Sequence, residues 1–308
     1  MAKLIMQNST PKKSFSSILV ILLLAACFFG CQERKPVFGK QAAKRKLSEE
    51  FNKYWYANDA EITSYKLNQS RYGEMREGSA VLIFVTEHFL NEEQVKADEA
   101  HDDNIAVLKL NTVKKFNTGI YPYSIMTSTF FPVVQNRHAL KVTNSVQEWC
   151  GQVYSQLNSR AQFEITSHSY FEGEDDQNFK LDKEFLEDEL WTMIRVSPDN
   201  LPVGDHLVIP SMEFTRLNHI EFKAYSCTIT KEKSAYKLSY PDLDRTLTIQ
   251  YNVQFPYEIE SWTETFPNGS GANAKQLTTT ATKLKTLKTA YWKQNAEKFN
   301  YLRDNLAL

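Results

Sequence analysis

Several things are scarce in this 308-residue chain, and each scarcity closes off a class of function. Charge of one sign is the first: 36 Lys and Arg stand against 37 Asp and Glu, a formal net charge of −1. Without a domain-wide basic excess to neutralise phosphates, no nucleic-acid partner is expected. Long hydrophobic runs are missing as well. The apolar run Ile18–Ala26 has nine residues, well short of the ~20 a helix needs to cross a bilayer. Glycine is limited to 10 residues while aromatics make up 13%, a balance that favours a packed globule over a disordered stalk. No Gly-x-Ser-x-Gly elbow, His-Glu-x-x-His, Gly-rich phosphate loop or Asp-x-Asp-x-Asp-Gly loop occurs, so neither a cofactor nor a metal is expected. No repeat of fixed period is visible, which leaves solenoids and propellers unsupported.

What is present begins at the N-terminus. Lys3, Lys12 and Lys13 precede the apolar run and no acid does, the basic and apolar regions of a secretory signal. The run ends in Leu24-Ala25-Ala26-Cys27, which looks like a bacterial lipobox, the motif whose cysteine thiol is diacylated before the signal is removed. Cys31 is the alternative lipidation site. It fits the motif less well, but the polar "QERKP" follows it directly, and its use would leave Cys150 and Cys227 as an even pair. Residues 1–26 therefore read as a lipoprotein signal peptide, 27–44 as a flexible tether and 45–308 as a β-rich globular domain, with a subdivision near 180–200 as an option. Removing residues 1–26 takes away three lysines and shifts the formal charge to −4. The expected location is the outer membrane, facing the periplasm, since neither Phe28 nor Gln32 is the Asp that often retains such anchors at the inner membrane.

From Ala60 the pattern becomes alternation rich in β-branched and aromatic residues, as in "EITSYKLNQSRY", "NIAVLKLNTVKKF", "HLVIPSMEFTR", "RTLTIQYNVQ" and "QLTTTATKLKTLKTA"; these are marks of half-buried strands. Turn signals such as "EGEDDQN" and "PNGSG" separate them, and sequential strands joined by turns favour an antiparallel meander. Three helices interrupt it: "RKLSEEFNKYWYAND", "DKEFLEDELWTMIRV", and the closing "YWKQNAEKFNYLRDNL" with Trp292, Ala296, Phe299 and Leu302 in register. The fold class is all-β with minor helices, a long curved antiparallel sheet or two half-barrels, because twisted sheets of this length must curl, split or close.

Candidate chemistry is thin. Cys150, in "QEWCGQVY", is followed in the next predicted strand by His168, a thiol and imidazole of the kind cysteine hydrolases pair. The plainer reading is structural: Val146, Trp149 and Val153 would bury the thiol and raise its pKa. In an oxidising periplasm Cys150 and Cys227 could instead be bridged, a constraint worth about 4 to 5 kcal/mol in the chain-entropy model. The acids Glu172, Glu174, Asp175 and Asp176 could offer oxygen to calcium, but they lack the order of a known loop, and an acidic hairpin turn is ordinary.

The segments "YWYANDAEITSYKLNQSRYGEMREGSAVLIFVTEHF", "KKFNTGIYPYSIMTSTFFPV", "QEWCGQVYSQLN", "SHSYFEGEDDQNF", "LPVGDHLVIPS" and "ATKLKTLKTAYW" together resemble a family of uncharacterised flavobacterial lipoproteins, over nearly all of the mature chain. Members are sometimes labelled "septum formation inhibitor Maf", which implies a nucleoside triphosphate pyrophosphatase; the Ser-Pro-Arg-Arg segment of the Maf proteins is missing here. The order of "ELWTMIRVSPDNLPVGDHLVIP", strands and "PYEIESW" is also similar to the β-rich periplasmic proteins of domain of unknown function 3108. Neither resemblance supplies catalytic residues. The function expected is non-enzymatic: a membrane-anchored lipoprotein binding an apolar ligand or an envelope partner protein. The alternatives are an enzyme, as a Cys150 hydrolase or a Maf-type pyrophosphatase, and a purely structural envelope protein.

Overall fold

Ser48 opens the first helix, α1 (Glu49–Trp55), by accepting the Phe51 N–H on its Oγ at 3.0 Å, which satisfies one of the orphan donors of a helix start. The computed structural model describes residues 44–308 apart from 136, 270, 272 and 273, so the signal segment, Cys27, Cys31 and the tether up to 43 lie outside the described residues. After α1 come β1 (Ala60–Arg71), β2 (Glu74–Leu90), β3 (Val95–Lys96), β4 (Ile105–Thr118), β5 (Tyr121–Pro132), β6 (Lys141–Glu148), β7 (Gly151–Ser159), β8 (Phe163–Ser169) and β9 (Gln177–Leu181). The second half holds β10 (Phe185–Leu186), α2 (Glu187–Val196), β11 (Gly204–Ile209), α3 (Met212–Asn218), β12 (Tyr225–Lys231), β13 (Ala235–Tyr240), β14 (Arg245–Tyr251), β15 (Ile259–Asn268), β16 (Lys275–Thr289) and α4 (Tyr301–Asn305).

All sixteen strands belong to one sheet, in the order β10-β11-β12-β13-β14-β15-β16-β1-β2-β4-β5-β6-β7-β8-β9, with β3 added on β2. Pairing is antiparallel except between β10 and β11. An N-terminal arm, β1 to β9, and a C-terminal arm, β10 to β16, meet where β1 pairs with β16. The two extreme strands, β9 and β10, are separated in the chain only by residues 182–184. Fifteen strands side by side span about 70 Å, whereas a link of that length reaches no more than about 15 Å. The sheet therefore curls until its two ends are neighbours. It does not close, since among the described residues no strand pair joins β9 to the opposite arm. Residues 182–184 are thus the crossover between arms, and the described residues 44–308 fall within one compact unit.

The concave face is filled by helix. α2 packs on β4 and β5, its Arg195 reaches Glu61 of β1, its Glu187 reaches Arg245 of β14, and its Trp191 stands edge-on to Trp262 of β15 at 5.3 Å. A helix that touches strands so widely spaced in the sheet lies inside the curl. No helix among the described residues is long and apolar enough to cross a membrane.

β9 stands where the sequence reads in part as a turn, the helix expected from Asp182 begins only at Glu187 after β10, and two further elements take a different form. "PSMEFTR", read as the end of a strand, is the start of α3: Ser211 Oγ accepts the Phe214 N–H at 3.2 Å, so Pro210-Ser211 is a helix entrance. The closing segment is not one helix carrying Trp292, Ala296, Phe299 and Leu302. It makes two short 3-10 turns and the five-residue α4, and its Leu306 and Leu308 dock on Ile62, Val85 and Leu287, outside the main core. Docking of these two leucines, at the very end, decides its path over helical register.

Candidate functional site

Charged side chains occupy inward positions where alternation calls for apolar ones. Arg195 clamps Glu61 through both guanidinium nitrogens at 2.7 Å, and its cation lies over Phe84 at 4.5 Å. Burial alone would raise the Glu61 carboxyl, but the Arg195 charge and hydrogen bonds outweigh it and hold the group below its ordinary value. Arg245 bonds Glu187 at 2.5 and 2.7 Å and Glu264 at 2.7 Å; Glu187 is likewise lowered, against the effect of burial, by Arg245. Lys114 pairs with Glu213 at 2.9 Å. Bidentate, charge-assisted contacts are what keep buried ions tolerable. Between the Arg245 and Lys114 sets lies an internal cavity of about 50 Å³, lined also by Asp188, Trp191 and Trp262. It has room for a few waters at most.

A larger space is at the seam. Where the curl fails to close, β7, β8 and β9 face α3 and the segment Ile220–Phe222 across a cleft of about 620 Å³. Val153, Ile165, Phe171, Phe179, Met212 and Phe222 supply apolar lining, with Ser155 and Ser167 between them. Alternation in β7 and β8 turns Val153 and Ile165 inward, and both are buried. The volume falls in the range of small-molecule sites, about 300 to 1,000 Å³.

A polar latch crosses the seam. Glu174, on the loop between β8 and β9, accepts from Arg216 Nη1 at 3.0 Å, and its same oxygen lies 2.7 Å from His219 Nδ1. Helix geometry supplies the pair. α3 ends with His219 in the left-handed region at φ 53, and the Ile220 N–H returns to the Thr215 carbonyl at 2.9 Å, a Schellman-type stop. Residues three apart on such an end lie side by side. Arg216 is also held flat, its guanidinium 4.7 Å from the Phe171 ring centre.

The residues singled out in the sequence lie elsewhere. Cys150 and Trp149 form the two-residue turn between paired Glu148 and Gly151; Cys150 is exposed and free, and Trp149 is 67% exposed. Burial of Cys150 among Val146, Trp149 and Val153 is therefore corrected: the two valines pair with each other and are buried, while the turn lifts the thiol off the core. Its pKa is still raised, by the hydrogen bond and charge of Glu148, the opposite of activation. His168 pairs across β7 with Tyr154 and holds Asp176 at 3.2 Å, so thiol and imidazole are not brought together. Cys227 is free and buried on β12, its thiol pushed up to about 12 by burial and by Glu187. The Cys150–Cys227 bridge is absent from the structure, one thiol being at a hairpin tip and the other in the core. Glu174 serves Arg216 and His219, and no group of three His, Cys, Asp or Glu among the described residues could hold a metal. Arg216 and His219 went unread because "PSMEFTRLNHI" was taken for a strand end and loop.

The curled, unclosed antiparallel sheet with helices in its hollow defines the class of the protein. No protein-family model matches the chain, and no curated protein matches it. Two solved structures are similar to it. One is a β-barrel-like protein of domain of unknown function DUF1849 from Brucella abortus, 8% identical over 75% of this chain and 97% of that one, with a TM-score of 0.43. The other is a porin-like protein from Bacteroides uniformis, 10% identical over 73% of this chain and 96% of that one, with a TM-score of 0.22.

Proposed function

We propose that the protein is a non-catalytic, lipid-anchored envelope protein that holds the apolar part of a ligand in the seam cleft. The observation that carries this is the cleft itself: about 620 Å³ of space lined by phenylalanines, valine, isoleucine and methionine at the seam between the two ends of the sheet. The hollow inside the curl is occupied by α2 and its ion pairs, whereas the seam cleft is open. Anchoring rests on the Leu24-Ala25-Ala26-Cys27 segment, with Cys31 as the alternative acceptor. A nucleophilic role for Cys150 has no support from its surroundings, given the carboxylate of Glu148 beside it.

Binding of N-phenyl-1-naphthylamine, whose fluorescence rises in apolar surroundings, tests the site. Ser167→Trp should fill the cleft and abolish saturable binding without lowering the melting temperature much, while Gln152→Trp on the exposed face of β7 should leave binding intact. Equal binding by all three proteins would place the probe elsewhere and sink the proposal.

A further inference from the structure

We infer that the ligand of the seam cleft is an amphiphile with an anionic head, a carboxylate or a phosphate, which takes the place of Glu174 on Arg216 and His219. This rests on the cleft being the ligand site. Three observations carry it beyond that reading.

First, Arg216 is incompletely used. Its side chain is only 10% exposed, it lines the cleft, and its Nε is buried with no partner. Glu174 engages Nη1 alone. Buried donors are ordinarily satisfied, and a guanidinium fork is matched by two oxygens of one acid group. A head group lying in the cleft can offer two oxygens to Nε and the Nη2 beside it, the side of the fork that the Glu174 contact at Nη1 does not use.

Second, the cation does not depend on Glu174 for its position. Stacking on Phe171 holds the guanidinium plane, and the helix end fixes its neighbour His219. Glu174 can leave without releasing Arg216. The second oxygen of Glu174, Oε2, accepts from Ser169 Oγ at 3.0 Å and its backbone carbonyl from Gln177 Nε2 at 2.6 Å, so it keeps partners within its own loop when Oε1 gives up the cation.

Third, the charge count favours an anion once Glu174 moves. The other carboxylate on the cleft wall, Glu221, is already 2.5 Å from Lys223. Arg216 then faces the space with no carboxylate of its own. Glu174 acts as a built-in stand-in for the ligand head: it keeps Arg216 paired while the cleft is empty and is displaced when a better-shaped acid arrives with an apolar tail.

Competition among three probes of equal tail length tests this, using the full chain carrying Cys27→Ser and Cys31→Ser and working below the micelle concentration of each probe. Dodecanoate should displace the naphthylamine about tenfold more effectively than dodecanol, the difference made by one charge-assisted pair, and dodecyltrimethylammonium should be weaker than dodecanol. Glu174→Gln should tighten dodecanoate, and Arg216→Gln should reduce it to the level of dodecanol while dodecanol is unchanged. Saturable but equal binding of all three probes would overturn the head-group inference and leave the apolar cleft standing. Loss of dodecanol and dodecanoate alike in Arg216→Gln would show a structural role and overturn it as well. If inorganic phosphate displaces dodecanoate at matching concentration, the site is one for a free anion and the amphiphile is ruled out. Failure of every probe to bind would remove both the inference and the cleft reading beneath it.

Discussion

Asp188 shows how one side chain can carry a pH dependence into the whole fold. It lies at the start of α2, accepts the Met212 N–H at 3.1 Å, and lines the internal cavity, yet the described interior cations are taken by Glu61, Glu187, Glu264 and Glu213. Burial, then the nearby charges of Glu187 and Glu213, raise its carboxyl from 3.8 to about 7 against the Met212 hydrogen bond. The folded chain therefore holds a proton that the unfolded chain gives up between those values. Stability from this group is fully present below about pH 4, declines as pH rises to about 7, and is lost above it, a change on the order of 4 kcal/mol. Asp188→Asn should flatten that decline, so its advantage over the parent in urea unfolding should be larger near about pH 8 than near about pH 5. An equal difference at both values would show that another group titrates. In the sequence Asp188 is one of several neighbouring acids, and nothing in "LEDEL" tells which points at solvent and which at the core.

At the scale of elements, α2 is bound to β1 by the Arg195–Glu61 clamp and to β14 by Glu187–Arg245. Removing one partner of a buried pair strands the other charge. Arg195→Met should cost about 3 to 5 kcal/mol, and adding Glu61→Gln to it should restore part of the loss; a double variant no better than the single would mean that packing of Arg195 over Phe84 and Trp55 matters more than its charge. Strands were legible where one face is buried: β14 alternates without a break from Arg245 to Tyr251. β9 was not, since its exposures do not alternate cleanly and it merges into the acidic turn before it. α3 was missed because its seven residues are too few to show a helical period, although Pro210-Ser211 marks its entrance.

For the molecule as a whole, the described chain starts beside the loop between β5 and β6, where the Arg45 N–H meets the Val134 carbonyl at 2.6 Å. That loop and the Glu174 loop lie at opposite ends of the antiparallel strands, so the start of the described chain and the cleft latch are on opposite rims. Anchoring through Cys27 or Cys31 predicts that a clickable fatty-acid analogue labels the parent chain and not the variant carrying both Cys27→Ser and Cys31→Ser. Label retained by the double variant would refute lipidation at either position.

The sequence by itself determined the β-rich class, the antiparallel order of neighbours and the need for the sheet to curve, because each follows from local alternation, turn residues and strand number. The Leu24-Ala25-Ala26-Cys27 segment is likewise local, and the proposed lipidation there awaits the labelling test. Only the tertiary structure decided that the curl stops one seam short of closing, that α2 fills the hollow with ion pairs, and that Glu174 meets Arg216 and His219 there. The Arg195–Glu61 and Glu174 contacts join groups from opposite arms of the sheet, and no local pattern encodes them: they depend on curvature summed over fifteen paired strands, which brings the two ends of the sheet together only once the whole chain has folded.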